Sequence, residues 1–268
     1  MLLNNKKAKI HRYHSGELRL LRSQLDKYIK NNYVQIVHEN DYSFLELLLI
    51  IDYYINKNVK VDLVLTYLPY QRMDHKDRDE LDTLNNMFNI LNKMNINNIT
   101  ICEPHCNLDD KNVNTLSYVR LLFPKVKEDL ELDKDDYVAF CDKGSKNRYK
   151  GLFKNTLTFE KTRNDKTGEI DTYVLKDKVD PSKKVLLVDD IISTGSTMIK
   201  AASILNELGV KHIYILCGHL EKKHKAIINC PYVKKIFTTN SLTKLETLKI
   251  KLFNVKDLLI EGGVLNNE

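Results

Sequence analysis

Short apolar runs alternate along most of the chain with longer segments whose apolar residues recur at three- and four-residue spacing. The short runs, rich in Val, Ile and Leu, read as buried strands, and the longer periodic stretches read as amphipathic helices. The pattern predicts strands at 34–38, 61–67, 99–102, 137–141, 185–188, 213–217 and 235–238. It predicts helices over 43–56, 78–94, 113–122, 195–208 and 256–261. Helices between strands supply the crossovers that parallel sheets require, so the expected class is α/β, mainly parallel sheets flanked by helices. Segment 124–136 opens with proline and is dense in charge, which suits a connection between two domains, 1–124 and 125–268.

One strand ends in an unusual way. In KKVLLVDDIISTGSTMIKAA (183–202), the apolar run finishes in Asp189 and Asp190, and the chain then turns through Ser193, Thr194, Gly195, Ser196 and Thr197 into helix-forming residues. Ligands of open α/β sheets bind beyond the carboxyl ends of the strands. Carboxylates there accept hydrogen bonds from paired sugar hydroxyls or from hydrated Mg²⁺. A turn of small hydroxylic residues running into a helix N-terminus offers N–H and O–H groups to a phosphate. A diol beside a phosphate describes ribose 5-phosphate. Helix capping alone needs one such aspartate and leaves the second, with the hydroxyl-rich turn, unexplained.

Composition narrows the picture modestly. The 268 residues, 43% hydrophobic and 29% charged, describe an ordinary globular protein of one or two domains. A formal net charge of +6 fits either a solvated lysine-rich surface or a field attracting a phosphate-rich small ligand. No dense basic run or basic-aromatic stripe marks a nucleic-acid binder. Five cysteines, odd in number and without a CxxC pair, argue against a disulfide framework. Cys102-x-x-His105-Cys106 lacks the second paired set of a structural zinc site. With no signal-like or membrane-length apolar run, the expected location is cytoplasmic.

DDIISTGST after an apolar strand resembles the phosphoribosyl-diphosphate (PRPP) motif shared by type I phosphoribosyltransferases and PRPP synthetases. Three further stretches are similar to the synthetase branch, the ribose-phosphate diphosphokinases. YLPYQRMDHKDR (67–78) resembles their Pro-Tyr-x-Arg-x-Asp-x-Lys segment at the ATP site, on Arg72 and Asp74. ITICEPHC (99–106) resembles the strand-ending segment whose histidine, here His105, lies at the Mg²⁺-ATP phosphates. DKGSKNRY (142–149) and FEKTRNDKTGEI (159–170) resemble the Asp-x-Gly segment, on Asp142, and the catalytic flexible loop, on Lys161 and Arg163. HSGEL (14–18) is a weaker match to a segment that meets a neighbouring subunit's ATP site through Glu17, and TTNSL (238–242) to a late strand end.

The resemblance implies two phosphoribosyltransferase-like domains, ATP and ribose 5-phosphate as substrates, Mg²⁺ held with the help of His105 and Asp142, and a homo-oligomer between dimer and hexamer. Asp189 and Asp190 would orient ribose hydroxyls, residues 193–197 would hold the 5-phosphate, and Lys161 and Arg163, two apart on a strand, would face the transferring group together. Departures are visible: Tyr13 and Ser15 stand where phenylalanine and aspartate are usual, Met73 and His75 where glutamine and arginine are, and Ser193 leans towards transferase sequences. A PRPP-using phosphoribosyltransferase and a non-catalytic regulatory homologue remain the alternative readings.

Overall fold

The computed structural model describes residues 1–39, 43–73, 81–108, 112–163 and 170–266, the backbone alone at 161–163 and 170–172. These divide into two compact units, Met1–Leu116 with Leu259–Glu268, and Ser117–Leu258. Each unit is built on its own sheet, and the α/β class stands as the alternation of patterns requires.

The first unit opens with β1 (Leu2–Leu3), β2 (Lys6–Lys7), a hairpin of β3 (His11–Arg12) and β4 (Leu18–Arg19), and a short α1 (Arg22–Leu25). Next come β5 (Tyr33–His38), α2 (Phe44–Ile55), β6 (Lys60–Leu65), α3 (Thr83–Asn92), β7 (Asn98–Cys102) and β8 (Val113–Leu116). Sheet order is β2-β1-β5-β6-β7-β8, parallel from β5 to β8 and antiparallel at β1 and β2. Ser43 caps α2 through a reciprocal capping box with Glu46, and Leu47, Ile50, Ile51 and Tyr54, spaced three and four apart, are buried. Leu84, Met87, Phe88 and Leu91 repeat that spacing on α3. Residues 259–266 return to this unit: Gln35 Nε2 donates to the Val264 carbonyl at 3.0 Å and Asn5 Nδ2 to the Asn266 carbonyl at 3.1 Å.

The second unit runs α4 (Tyr118–Asp129), β9 (Tyr137–Phe140), α5 (Lys143–Arg148), β10 (Thr156–Arg163), β11 (Ile170–Leu175), β12 (Lys184–Ile192) and α6 (Ser196–Glu207). It continues through β13 (His212–Leu220), α7 (Lys225–Ile228), β14 (Val233–Thr239), β15 (Ile250–Phe253) and α8 (Val255–Glu261), whose residues from Leu259 on belong to the first unit. The order β11-β10-β9-β12-β13-β14-β15 is parallel throughout except at the β10–β11 edge. Ala201 and Ala202 let α6 lie close to the sheet, where Met198 and Leu205 pack with Leu187, Ile213 and Ile215.

Two expectations fail here. Segment 113–122 is not one helix but β8, a one-residue break, and α4 capped by Ser117. Pro124, read as the start of a linker, lies inside α4. An internal proline costs a helix about 3 kcal/mol. Burial of Tyr118, Val119, Leu122, Phe123 and Val126, each stabilising by about 1.5–3 kcal/mol when an apolar side chain is fully enclosed, outweighs it. No helix among the described residues is long and apolar enough to cross a membrane.

Candidate functional site

Within the second unit, β9 and β12 are parallel neighbours paired as far as Phe140 and Val188. The carboxyl end of β9 therefore brings Cys141-Asp142 beside Asp189-Asp190, which lie inside β12, past the strand end expected at residue 188. Asp142 caps α5, its Oδ1 accepting from the Ser145 N–H at 2.9 Å. The helix is short, and its last residue returns to the strand end: Arg148 Nη1 donates to Asp190 Oδ1 at 2.6 Å. Asp190 is almost fully enclosed, its side chain 1% exposed. Asp189 is half-buried. Burial, and next the negative charges of Asp190 and Asp142, push its carboxyl well above the usual carboxylate range. Carboxylates crowded so closely favour a partner that donates hydrogen bonds or positive charge.

Beyond Ile192 the chain makes the expected turn. Gly195 has φ +82°, and a Cβ added there would lie 2.6 Å from the Ile227 Cβ. Glycine is therefore required twice, by the left-handed backbone and by the close approach of α7. It is the N-cap residue of α6, whose twelve residues give the N-terminus its partial positive charge. Thr194 and Ser196 lie within hydroxyl–hydroxyl reach at 3.3 Å. Ser193 Oγ donates to Glu221 Oε2 at 2.6 Å, and the Glu221 N–H donates to the Ile192 carbonyl at 2.8 Å. A carboxylate thus borders a turn suited to anions. Gly218 and His219, at the end of β13, are fixed from the TTNSL segment: Thr239 Oγ1 donates to the Gly218 carbonyl at 2.7 Å and Ser241 Oγ meets His219 Nδ1 at 2.7 Å.

Lys161 and Arg163 both belong to β10, Lys161 opposite Tyr173 and Arg163 opposite Ile170. The pairing slips between Thr162 and Arg163. The extra residue of that slip, Asp171, belongs to β11, so β10 itself runs on without an insertion. Residues 164–169 of the expected mobile loop lie outside the described residues. Tyr173 ties the hairpin to the aspartate cluster: its ring stacks on Phe159 and its hydroxyl donates to the Cys141 carbonyl at 3.1 Å.

The other expected residues lie in the first unit. Glu17 is exposed at the tip of the β3–β4 hairpin, with Ser15 donating to it at 2.9 Å. Arg72, exposed, follows β6, and His105, half-buried, follows β7. Adjacent parallel strands bring these two segments together, and Gln71 joins them: its Oε1 accepts from the His105 backbone N–H at 2.9 Å. Asp74 lies outside the described residues. Among the described residues no three His, Cys, Asp or Glu side chains are grouped closely enough to hold a metal ion.

Sequence reasoning missed Arg148, Glu221 and Gln71. A signal existed for Arg148, since two carboxylates at a buried strand end call for a cation and DKGSKNRY supplies an arginine six residues after Asp142. Glu221 and Gln71 are placed by tertiary structure and had none.

Comparison with known proteins agrees with the geometry. The family model for the phosphoribosyl transferase domain matches residues 155–245. Ribose-phosphate pyrophosphokinase of Sulfurisphaera tokodaii is 29% identical, the match covering 82% of this chain and 80% of that protein. That of Thermococcus kodakarensis is 32% identical over 68% of this chain and 66% of that one. That of Sulfolobus acidocaldarius is 35% identical over 45% of this chain and 43% of the relative, less than half the relative's length. The crystal structure of phosphoribosylpyrophosphate synthetase from Mycobacterium smegmatis superposes with a TM-score of 0.74 at 20% identity, covering 94% of this chain and 87% of that one, and shares the fold. Aspartate pair, hydroxyl-rich turn, fold and relatives converge: the chain belongs to the ribose-phosphate pyrophosphokinase family, within the type I phosphoribosyltransferase-like superfamily.

Proposed function

We propose that the protein transfers the β,γ-diphosphoryl group of ATP to the C1 hydroxyl of ribose 5-phosphate, giving PRPP and AMP. The observation that carries this reading is the pair Asp189-Asp190 beside a glycine-hinged turn at the head of α6, hydroxyl acceptors next to an anion cradle. Asp189 and Asp190 accept hydrogen bonds from the ribose hydroxyls, with Arg148 fixing the Asp190 carboxylate. The N–H and O–H groups of Ser193 to Thr197 take the 5-phosphate. So oriented, the C1 hydroxyl oxygen forms a bond to the β-phosphorus, the bond from that phosphorus to the bridging oxygen breaks, AMP leaves with that oxygen, and the hydroxyl proton is released. Such a transfer depends on positioning and charge neutralisation. Lys161 and Arg163 meet the charge of the transferred group.

Arg72, Asp74 and His105 serve the nucleotide, and Glu17, on its exposed hairpin, completes the nucleotide site of a second copy in a homo-oligomer of two to six. Mg²⁺ is usually held by one or two carboxylates and by substrate phosphates, so the oxygen-rich set around Asp142 fits it without a three-residue cage. Asp142, in the second unit, would hold it, and it would supply neutralisation of phosphate charge. Phosphorus NMR of the purified protein with ribose 5-phosphate, ATP and Mg²⁺ tests the reading. AMP and PRPP formed together support it; their absence across phosphate and metal conditions overturns it.

A further inference from the structure

Gln71 is fully buried, 0% exposed, between the segments that follow β6 and β7. Its Oε1 accepts the His105 N–H, and its Nε2 has no hydrogen-bond partner among the described residues. Exchanging the two ends of the amide does not remove the problem. The His105 N–H is a donor and must meet the oxygen, so the other end is necessarily an NH₂ group. A buried donor left unsatisfied costs about 1–3 kcal/mol, and native proteins seldom retain one without a use. The backbone around it is held in rare conformations as well. Tyr70, immediately before Gln71, has φ +61°, and Glu103, two residues before His105, has φ +46°. Left-handed backbone in bulky residues concentrates at ligand sites, where surrounding structure enforces it. The Tyr70 turn is closed by the Met73 N–H on the Tyr70 carbonyl at 2.8 Å, and the Glu103 N–H donates to the Leu116 carbonyl at 2.7 Å.

We propose that Gln71 is a positioning residue of the nucleotide site: its Oε1 fixes the His105 segment, and its Nε2 donates to an acceptor oxygen of the nucleotide's phosphate chain. The inference rests on the reading that the first unit takes a nucleotide. Held at both ends, the amide couples the bound phosphate chain to the backbone position of His105.

Two variants separate the two ends. Gln71→Glu keeps an acceptor for His105 and loses the donor; Gln71→Met loses both at similar volume. Wild-type protein labelled with ¹⁵N is titrated with Mg²⁺ and α,β-methylene-ATP, with tripolyphosphate and adenosine in parallel. The Gln71 side-chain signal is the one that Gln71→Met removes. That signal shifts with α,β-methylene-ATP and tripolyphosphate but not with adenosine. Hydrogen exchange at the His105 amide is slow in wild type and Gln71→Glu and fast in Gln71→Met. In turnover, Gln71→Glu raises KM for ATP by about tenfold or more while KM for ribose 5-phosphate changes less than about twofold. A Gln71 signal unmoved at saturating α,β-methylene-ATP overturns the inference alone, and a shift with adenosine only overturns its assignment to the phosphate chain. Failure of wild type to bind α,β-methylene-ATP overturns the nucleotide reading with it. Gln71→Glu lacks the same NH₂ group and assigns the signal should Gln71→Met not fold.

Discussion

Gly195→Ala perturbs the anion turn with a single methyl group, and the structure separates its two costs. At φ +82° an L side chain is strained by about 1–2 kcal/mol. The new Cβ would also lie 2.6 Å from the Ile227 Cβ and 3.1 and 3.3 Å from its two γ carbons, a forced fit of the kind that costs about 1–3 kcal/mol in a packed interior. The expected loss is the sum, about 2–5 kcal/mol. Trimming Ile227 to valine or alanine offers no repair, because both retain the Cβ that makes the closest contact. Gly151→Ala is the internal control. Gly151 has φ +79° and nothing within 4 Å of its would-be Cβ, so it carries the backbone strain alone, about 1–2 kcal/mol. Both glycines lie in the second unit, and the lowered entropy of the unfolded chain is common to both substitutions. Urea unfolding followed by circular dichroism should therefore place Gly195→Ala about 1–3 kcal/mol below Gly151→Ala. Only Gly195→Ala should raise KM for ribose 5-phosphate, since relief must come from moving the head of α6. Equal losses within about 0.5 kcal/mol would refute the close-contact argument.

Arg148→Met should destabilise the protein by about 3 kcal/mol, because the enclosed Asp190 carboxylate loses its cation; a double-mutant cycle with Asp190→Asn in urea unfolding reads the coupling, and strict additivity would contradict it. Asp189 takes up its proton more readily when folded, so its contribution to stability is complete below about pH 4 and is lost as pH rises towards the folded value. Asp189→Asn should accordingly flatten this part of the Tm–pH profile and raise Tm near neutrality while turnover falls; an unchanged profile would argue against the crowded cluster. Lys161→Ala or Arg163→Ala should lower kcat by about 10³-fold, about 4 kcal/mol, and a loss below about tenfold in single-turnover assays removes that residue from the role. Glu221→Gln frees Ser193 from a competing negative charge and should lower KM for ribose 5-phosphate roughly two- to tenfold; a rise would show that the carboxylate supports the turn.

Elements with a strong local signature were legible. The periodic helices α2 and α6 and the seven expected strands fall within a residue or two of their expected ends, β12 and β13 excepted, while β15 was not among the expected strands. Those two run on to Ile192 and Leu220 because paired neighbours extend a strand beyond its apolar run, β12 through the aspartates that sequence alone reads as its end. Val113–Leu116 was mistaken for helix since four residues cannot show which period they follow, and a neighbouring strand, β7, decides the matter. Pro124 misled because helix propensity was weighed without the apolar face that holds α4 together. In the site, Asp189, Asp190 and the glycine-hinged turn were readable because their chemistry is contiguous in sequence. Gln71 with His105, 34 residues apart, and Ser193 with Glu221, 28 apart, become partners only through strand adjacency.

The return of residues 259–266 to the first unit carries a consequence for biosynthesis. A ribosome delivers residues 1–116 first, yet the segment that contacts Gln35 and Asn5 is translated only after every residue of the second unit. Domains generally fold as units while synthesis proceeds. The second unit is contiguous and can complete as soon as it clears the exit tunnel, whereas the first, although begun earlier, must wait for its final stitch. The part of the chain made first is thus the part finished last, and a nascent chain stalled before residue 259 would hold a complete second unit alongside an unsealed first one.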